Sequence, residues 1–284
     1  MEPEWEAKFE TNSYGFRPGR GCHDTIQAIF TGIVHQPKYV LDADIARCFD
    51  MIDHRSLLNK LQTFPKMRTI IKQWLKAGII DKNVFQKTNT GTQQGSVVSP
   101  VLANIALHGL ETAIISNTSK WAIIDDRKVS WTPKVICYAD DFVVLHRDLR
   151  VLEQLKQRVS DWLADMGLSL KPEKTQITHT LQGPSGAKPG FDFLGFTIRQ
   201  YPVGKYNGAP KQIIFKTLIK PSKKGVQRHL ERLREIIDNH KSDGQGKLIN
   251  TLNPIRGWCN YYSTVVSKQT FSKANYATFQ MLWA

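Results

Sequence analysis

Three aspartates are the first candidates for chemistry: Asp44, Asp140 and Asp141. Each sits beside apolar, strand-like residues: Tyr39-Val-Leu41 leads up to Asp44, and Val135-Ile136 with Phe142-Val-Val-Leu145 encloses the other two. Carboxylates at the edges of buried strands need a partner, because removing water from an unpaired charge is expensive. Two divalent cations would supply that partner. Hard oxygen ligands point to Mg²⁺, with Mn²⁺ as a substitute, rather than to zinc. Such a pair stabilises the attacking and leaving oxygens of an in-line phosphoryl displacement. The bland alternative stays open at this point, because Asp is common in tight turns and an isolated Tyr138-Ala-Asp-Asp141 is more often an ordinary hairpin.

The elements that would position these acids follow from periodicity. Tyr39 to Ile45 alternates apolar and polar residues and predicts a strand. Asp53 reads as the N-cap of a helix starting near Arg55, and Ile70 to Ile80 as a second helix. Val101 to Leu110 reads as a buried helix opened by Pro100. Val135 to Leu145 predicts a hairpin with carboxylates at its tip. Leu152 to Met166 predicts an amphipathic helix ended by Gly167. Glycine and proline cluster at 183–190 and 204–210 as loops, with a short aromatic strand from Phe191 to Ile198 between them. Beyond Lys216 the chain turns basic and is read as helical: residues 216–234 hold seven Lys/Arg and one acid, Glu231. A boundary is placed near 212–221.

The 284 residues carry 39 Lys+Arg against 25 Asp+Glu, a net charge of +14, which points to a polyanionic partner. An apolar share of 41% excludes wholesale disorder. The four cysteines, Cys22, Cys48, Cys137 and Cys259, form no CxxC pair, which argues against a zinc ribbon and suits a reducing compartment. The start Met-Glu-Pro-Glu-Trp-Glu lacks the pattern of a signal peptide, so a bacterial cytoplasmic or an organellar location is expected. The longest uncharged run, Thr88 to Leu110, is too rich in Gln, Asn and Gly to lie in a bilayer, and no membrane partner is expected.

Around the aspartates stand further motifs: Asn12-Ser-Tyr-Gly-Phe-Arg-Pro-Gly-Arg20, Leu41-Asp-Ala-Asp-Ile-Ala-Arg-Cys-Phe-Asp50, Gly91-Thr-Gln-Gln-Gly-Ser-Val-Val-Ser-Pro100, Gly167-Leu-Ser-Leu-Lys-Pro-Glu-Lys-Thr175 and Phe193-Leu-Gly-Phe196. With Tyr138-Ala-Asp-Asp141 they resemble, in order, the motifs of reverse transcriptases, and most closely the group II intron branch. The tail Leu252-Asn-Pro-Ile-Arg-Gly-Trp-Cys-Asn-Tyr-Tyr262 is similar to that family's maturase, or thumb, segment. The resemblance implies an α+β fold, with an antiparallel palm sheet packed on helices and then a mainly helical thumb. It divides the chain into 1–211, partial fingers and palm, and 212–284, a truncated thumb/maturase segment.

Carried over by position, Asp44, the carbonyl of Ile45, Asp140 and Asp141 are implied to hold two Mg²⁺ ions. Phe49 is implied to reject a ribose 2′-hydroxyl, and Gln94 with Gly95 to lie along the incoming dNTP. Lys174 is implied to protonate the leaving pyrophosphate. Arg17 and Arg20 are suited to phosphate contact, and Lys220, Lys223, Lys224 and Arg228 to nucleic-acid backbones. For each, an ordinary core or surface role is the alternative. Trp258, Tyr261 and Tyr262 are read as thumb core, and Phe193–Phe196 as a hydrophobic hinge. The implied partners are an RNA template, a DNA primer, dNTPs and group II intron RNA.

The pattern also departs from the family. Its fingers segment normally precedes the Ser-Tyr-Gly-Phe-Arg motif, which leaves three readings open: a split protein with a separate fingers-bearing polypeptide as a further partner, a decayed gene, or a truncated sequence. Gln93 and Ser96 stand where the family has Pro and Gly. The implied function is RNA-directed DNA synthesis with a maturase role in splicing and retrohoming. The competing reading is a catalytically idle RNA-binding maturase or splicing cofactor.

Overall fold

A computed structural model describes residues 2–81, 84–86, 90–92, 96–116, 118–183, 188–203 and 214–283. Two compact units are present, Met1–Thr178 and His179–Ala284. The first begins with α1 (Glu2–Glu6), a strap built largely of turns over 12–20, and α2 (Cys22–Ile33). Then come β1 (Tyr39–Asp44), α3 (Cys48–Met51), α4 (His54–Leu61), α5 (Pro65–Lys76) and the ribbon of β2 (Ile79–Asp81) with β3 (Val84–Gln86). Helices α6 (Ser99–Leu107) and α7 (Leu110–Ser116) precede a second ribbon, β4 (Trp121–Ile124) with β5 (Arg127–Ser130). The hairpin of β6 (Lys134–Tyr138) and β7 (Asp141–His146), α8 (Leu149–Ala164) and β8 (Gln176–His179) follow.

The central sheet has the order β6-β7-β1-β8, with β1–β7 and β6–β7 antiparallel. Alternation along β1 explains its two faces. Leu41 and Ala43, continued by Ile45, join Phe142 and Val144 against Leu152, Leu155, Val159 and Leu163 of α8. Val40, Asp42 and Asp44 face the other way, and Val40 is fully buried. A row with one buried apolar end and two acids is the consequence.

Several boundaries differ from the sequence reading, each for a local reason. Helix α5 stops at Lys76 because Gly78 has φ +78, and Ile79 and Ile80 go into β2. The apolar run 101–110 is cut at Gly109, φ +94, into α6 and α7. Asp53 does cap α4, accepting from Ser56 N at 2.7 Å. At the end of α8, Leu168 N donates to Leu163 O and Gly167 N to Ala164 O, both 2.9 Å. That is a Schellman motif with Gly167, φ +73, in the left-handed position.

The second unit holds β9 (Phe191–Phe193), β10 (Phe196–Pro202) and β11 (Phe215–Pro221) in the order β11-β10-β9. Helices α9 (Lys223–Asn239), α10 (Gln245–Leu252), α11 (Pro254–Tyr262) and α12 (Lys268–Trp283) follow. Lys216 and Lys220 therefore lie on a strand, not a helix. Helix α9 starts only after Ser222, whose side chain accepts from Gly225 N. The span 191–198 is a hairpin rather than one strand, turning through Leu194 and Gly195, whose φ are +48 and +81. Positive φ at both turn positions is the type I′ geometry that matches the twist of paired strands. Among the described residues no helix is long and apolar enough to cross a membrane.

Candidate active site and nucleic-acid surface

Asp44 ends β1 directly opposite Asp141, which opens β7. Residues opposite one another in an antiparallel pair share a face, with Cβ atoms about 4.5–5.5 Å apart. Tyr138 pairs with Asp141 on its other side, which leaves Ala139 and Asp140 as the hairpin turn. Only Ala139 has positive φ, +54, the pattern of a type II′ turn. Ile45 N donates to Asp140 O at 3.2 Å, tying the third acid to the end of β1.

The bridge Ile45↔Leu170 is closed by Ala46 N to Ser169 O and Lys171 N to Asp44 O. Those flanking bonds turn both polar groups of Ile45 away from Leu170. Its N–H is the one that meets Asp140 O on the hairpin side.

Burial, then the neighbouring carboxylates Asp140 and Asp44, pushes Asp141 up to about 6. Burial first and Asp44 next raise Asp140 as well. Lys174 donates to Asp44, and that bond raises the lysine. One ammonium faces three carboxylates, an arrangement that favours further cations. Among the described residues no three His, Cys, Asp or Glu side chains stand in metal-holding geometry, and Asp44 is engaged by Lys174. The segment 169–175 carries Lys174 there, its turn closed by Lys174 N and Thr175 N donating to Lys171 O.

Two contacts that the sequence did not announce hold this site. Gly15 lies on the backbone of the hairpin tip: a Cβ there would sit 2.9 Å from Tyr138 C, 3.0 Å from Ala139 Cα and closer still to Ala139 N. Tyr14 N donates to Cys137 O and Cys137 N to Asn12 O, so the strap pairs with β6. Buried Asn104 of α6 donates to Gly15 O at 2.8 Å. A lone amide in an apolar helix was the available signal. The second contact is Gly91, φ +82, where a Cβ would collide with the carbonyls of Phe49 and Asp50. It lets Thr92 N donate to Phe49 O at 2.6 Å, while Gly91 O accepts from His54 at 2.7 Å.

Phe49 is partly buried against the core, on α3. Cys48 beside it is pushed up to about 12 by burial and then by Asp140, Asp44 and Asp50. Gln94 and Gly95 lie outside the described residues.

Arg17 corrects the sequence reading. Its side chain is 2% exposed, and its guanidinium donates to the Glu6 carboxylate and to the carbonyls of Glu10 and Ser13. Every donor is engaged inside the protein, so it clamps the strap rather than meeting a phosphate. Arg20 remains partly exposed, stacked on Tyr14 and bonded to Thr11 O.

In the second unit, Lys223, Lys224 and Arg228 are exposed on α9, and Lys220 is half-buried on β11. Lys220 and Arg199 both lie over the Tyr201 ring, at 5.4 Å and 4.7 Å. The Leu194-Gly195 turn is tied down from three sides: Tyr261 Oη donates to Leu194 O, and Tyr262 Oη and Ser222 N donate to Gly195 O. A Cβ on Gly195 would lie 2.8 Å from Tyr262 Oη. Trp258 packs against Tyr262, Phe271 and, face to face at 4.1 Å, His229.

Comparison with known proteins adds family relationships. Residues 1–198 match the model described as reverse transcriptase (RNA-dependent DNA polymerase), and residues 226–284 match the group II intron maturase-specific domain. Protein YkfC of Escherichia coli is 30% identical over 226 residues, covering 70% of this chain and 58% of that one. The group II intron-encoded protein LtrA of Lactococcus lactis is 26% identical over a 362-residue alignment, covering 99% and 57%. The chain thus spans under three fifths of the length of these relatives. A solved telomerase from Candida albicans, in complex with a fragment of telomeric RNA, superposes with TM-score 0.52 over 99% of this chain and 50% of that one. At 12% identity that likeness speaks to the fold alone.

Proposed function

The chain belongs to the reverse transcriptase family and carries a group II intron maturase-specific region, and from that premise we propose that it is an RNA-directed DNA polymerase of the group II intron type. The observation that carries this reading is the meeting of Asp44, Asp140 and Asp141 at one end of the β1–β7 pair, opposed by Lys174. The family works with divalent metal ions. We assign two Mg²⁺ to these three carboxylates and the Ile45 carbonyl, because three acids against one ammonium leave a charge deficit that hard cations suit. When bound, such ions lower the cost of charge on the attacking and leaving oxygens.

The chain's own residues then have distinct tasks. The primer 3′-hydroxyl gives up its proton to solvent, a bond forms between its oxygen and the α-phosphorus of a dNTP, and the bond to the pyrophosphate oxygen breaks. Lys174, charged at neutral pH and held toward the acids by Asp44, hands its proton to that leaving oxygen. Phe49, pinned through its carbonyl by Thr92, is the wall against a ribose 2′-hydroxyl. Gln94 and Gly95 line the nucleotide by motif position. Arg20 contacts nucleic-acid phosphate, and Lys220, Lys223, Lys224 and Arg228 follow an RNA–DNA or intron RNA backbone. Residues 1–211 act as fingers and palm and 212–284 as thumb.

Primer extension on an RNA template, with Mg²⁺ and dNTPs, tests the proposal. The chain and its Asp140→Asn/Asp141→Asn variant are compared with and without a fingers polypeptide from a relative. Extension lost in the variant supports the polymerase. No extension under any condition, with RNA binding kept by the variant, overturns it in favour of an RNA-binding maturase.

A further inference from the structure

We propose that Phe16 is a second specificity-determining residue, a positioning residue that sets where the ring of Phe49 stands against the sugar of the incoming nucleotide. The proposal rests on the reading of Phe49 as the wall against a 2′-hydroxyl.

Phe16 is 52% exposed, which alone means little for an aromatic at a surface. Its backbone is what sets it apart. With φ +56 it occupies the left-handed region, where a bulky side chain is a genuine outlier. The neighbours on both sides forbid relaxation. Gly15 is wedged on the backbone of the hairpin tip and held by Asn104, and Arg17 is locked into Glu6, Glu10 and Ser13. An outlier held from both sides, beside a candidate active site, is the pattern of a conformation kept for its side chain.

The ring it presents stands edge-on to Phe49, with centroids 6.0 Å apart and planes at 82°. This is a favourable geometry for an aromatic pair. Thr92 fixes the carbonyl of Phe49 but leaves its side-chain rotation unset. The Phe16 ring closes that rotation on one side. A sugar-discriminating wall works only if it cannot swing away from an extra hydroxyl, so the Phe16 strap gives the wall its stiffness. The same strap grips the hairpin that bears Asp140 and Asp141, which places both rings and acids in one frame.

The test is single-nucleotide incorporation of dATP against ATP by the full chain with Mg²⁺ on an RNA template. Where incorporation is too slow, equilibrium binding of the same two nucleotides supplies the ratio. Wild type, Phe16→Ala, Phe16→Tyr, Phe49→Val and the double variant Phe16→Ala/Phe49→Val are compared, with thermal melts to show that each is folded. Phe16→Ala is expected to raise the ATP/dATP ratio about 2- to 10-fold, the range an edge-on aromatic pair supports. Phe16→Tyr, which keeps the ring, restores the wild-type ratio. The double variant adds nothing to Phe49→Val, because one residue acts through the other.

A flat ratio in Phe16→Ala, an equal loss for both nucleotides, or full additivity overturns the proposal while leaving the Phe49 reading intact. A flat ratio in Phe49→Val, or no discrimination by wild type, overturns both.

Discussion

Replacing Gly15 by Ala tests the strap more sharply than replacing any charged residue would. The added Cβ would lie 2.9 Å from Tyr138 C and 3.0 Å from Ala139 Cα, with Ala139 N nearer still. All three are backbone atoms, so no side chain can swing aside. Ordinary carbon contacts begin at about 3.5 Å, so strap and hairpin tip must separate by about 1 Å. Overpacking of this kind costs about 1–3 kcal/mol, or about 2–12 °C in Tm for a chain of this size. The larger effect falls on chemistry. Displacing reacting groups by about 1 Å costs about 100-fold in rate, so nucleotide incorporation should fall by that order while RNA binding is kept. Gly246→Ala is the control. A Cβ there meets nothing within 4 Å, and the site lies inside α10, so a gain of about 0.5–1 kcal/mol is expected. Differential scanning fluorimetry reads both, and incorporation kinetics read the first. An unchanged Tm together with unchanged incorporation in Gly15→Ala would refute the strap as a support of the hairpin.

Four further outcomes are expected. Mg²⁺ at 10–100 times its Kd should stabilise the chain by about 1–3 kcal/mol in thermal melts, and the Asp140→Asn/Asp141→Asn variant should not respond. Arg17→Gln should cost about 2–4 kcal/mol by leaving the Glu6 carboxylate without its ion-pair partner and taking one donor from each of the Glu10 and Ser13 carbonyls, whereas Lys223→Ala/Lys224→Ala should leave Tm unchanged and lower the slope of log affinity for RNA against log salt by about 1.5–2. Lys60, which donates to Ala106 O at 2.8 Å beneath Trp162, is pushed down to about 8 by burial. A lysine depressed in the folded state is penalised in full below that pH and relieved as pH rises toward its unfolded value. The stability advantage of Lys60→Met at pH 7, read by denaturant titration, should therefore shrink by about 2 kcal/mol at pH 10.

Local pattern made some of this architecture legible and hid the rest. Alternation along Tyr39–Ile45 placed Asp44 on a strand, and the apolar flanks of Tyr138–Asp141 placed a hairpin; the two strands pair as that reading requires. The charge-run reading failed at Lys216 and Lys220 because composition does not distinguish a basic strand from a basic helix. It failed at Arg17 because charge does not reveal burial: Glu6 and the carbonyls that engage it are brought in by the turn of the strap. The proximity of Lys174 to Asp44 spans 130 positions and came through family resemblance, not local pattern. Gly78 and Gly109 cut apparent helices because a left-handed glycine inside an apolar run looks like any other small residue.

The strap also has a consequence in time. Asn12 and Tyr14 are made about 125 residues ahead of their pairing partner Cys137. At about 5–20 residues per second that is about 6–25 s of waiting. During that interval Phe16 has no Phe49 in place until β1 and α3 have folded, and Gly15 has no tip to grip. The acids therefore remain unassembled on the nascent chain. The frame of strap, hairpin and acids is complete only when the last of these pieces to be made, the turn carrying Lys174, joins it.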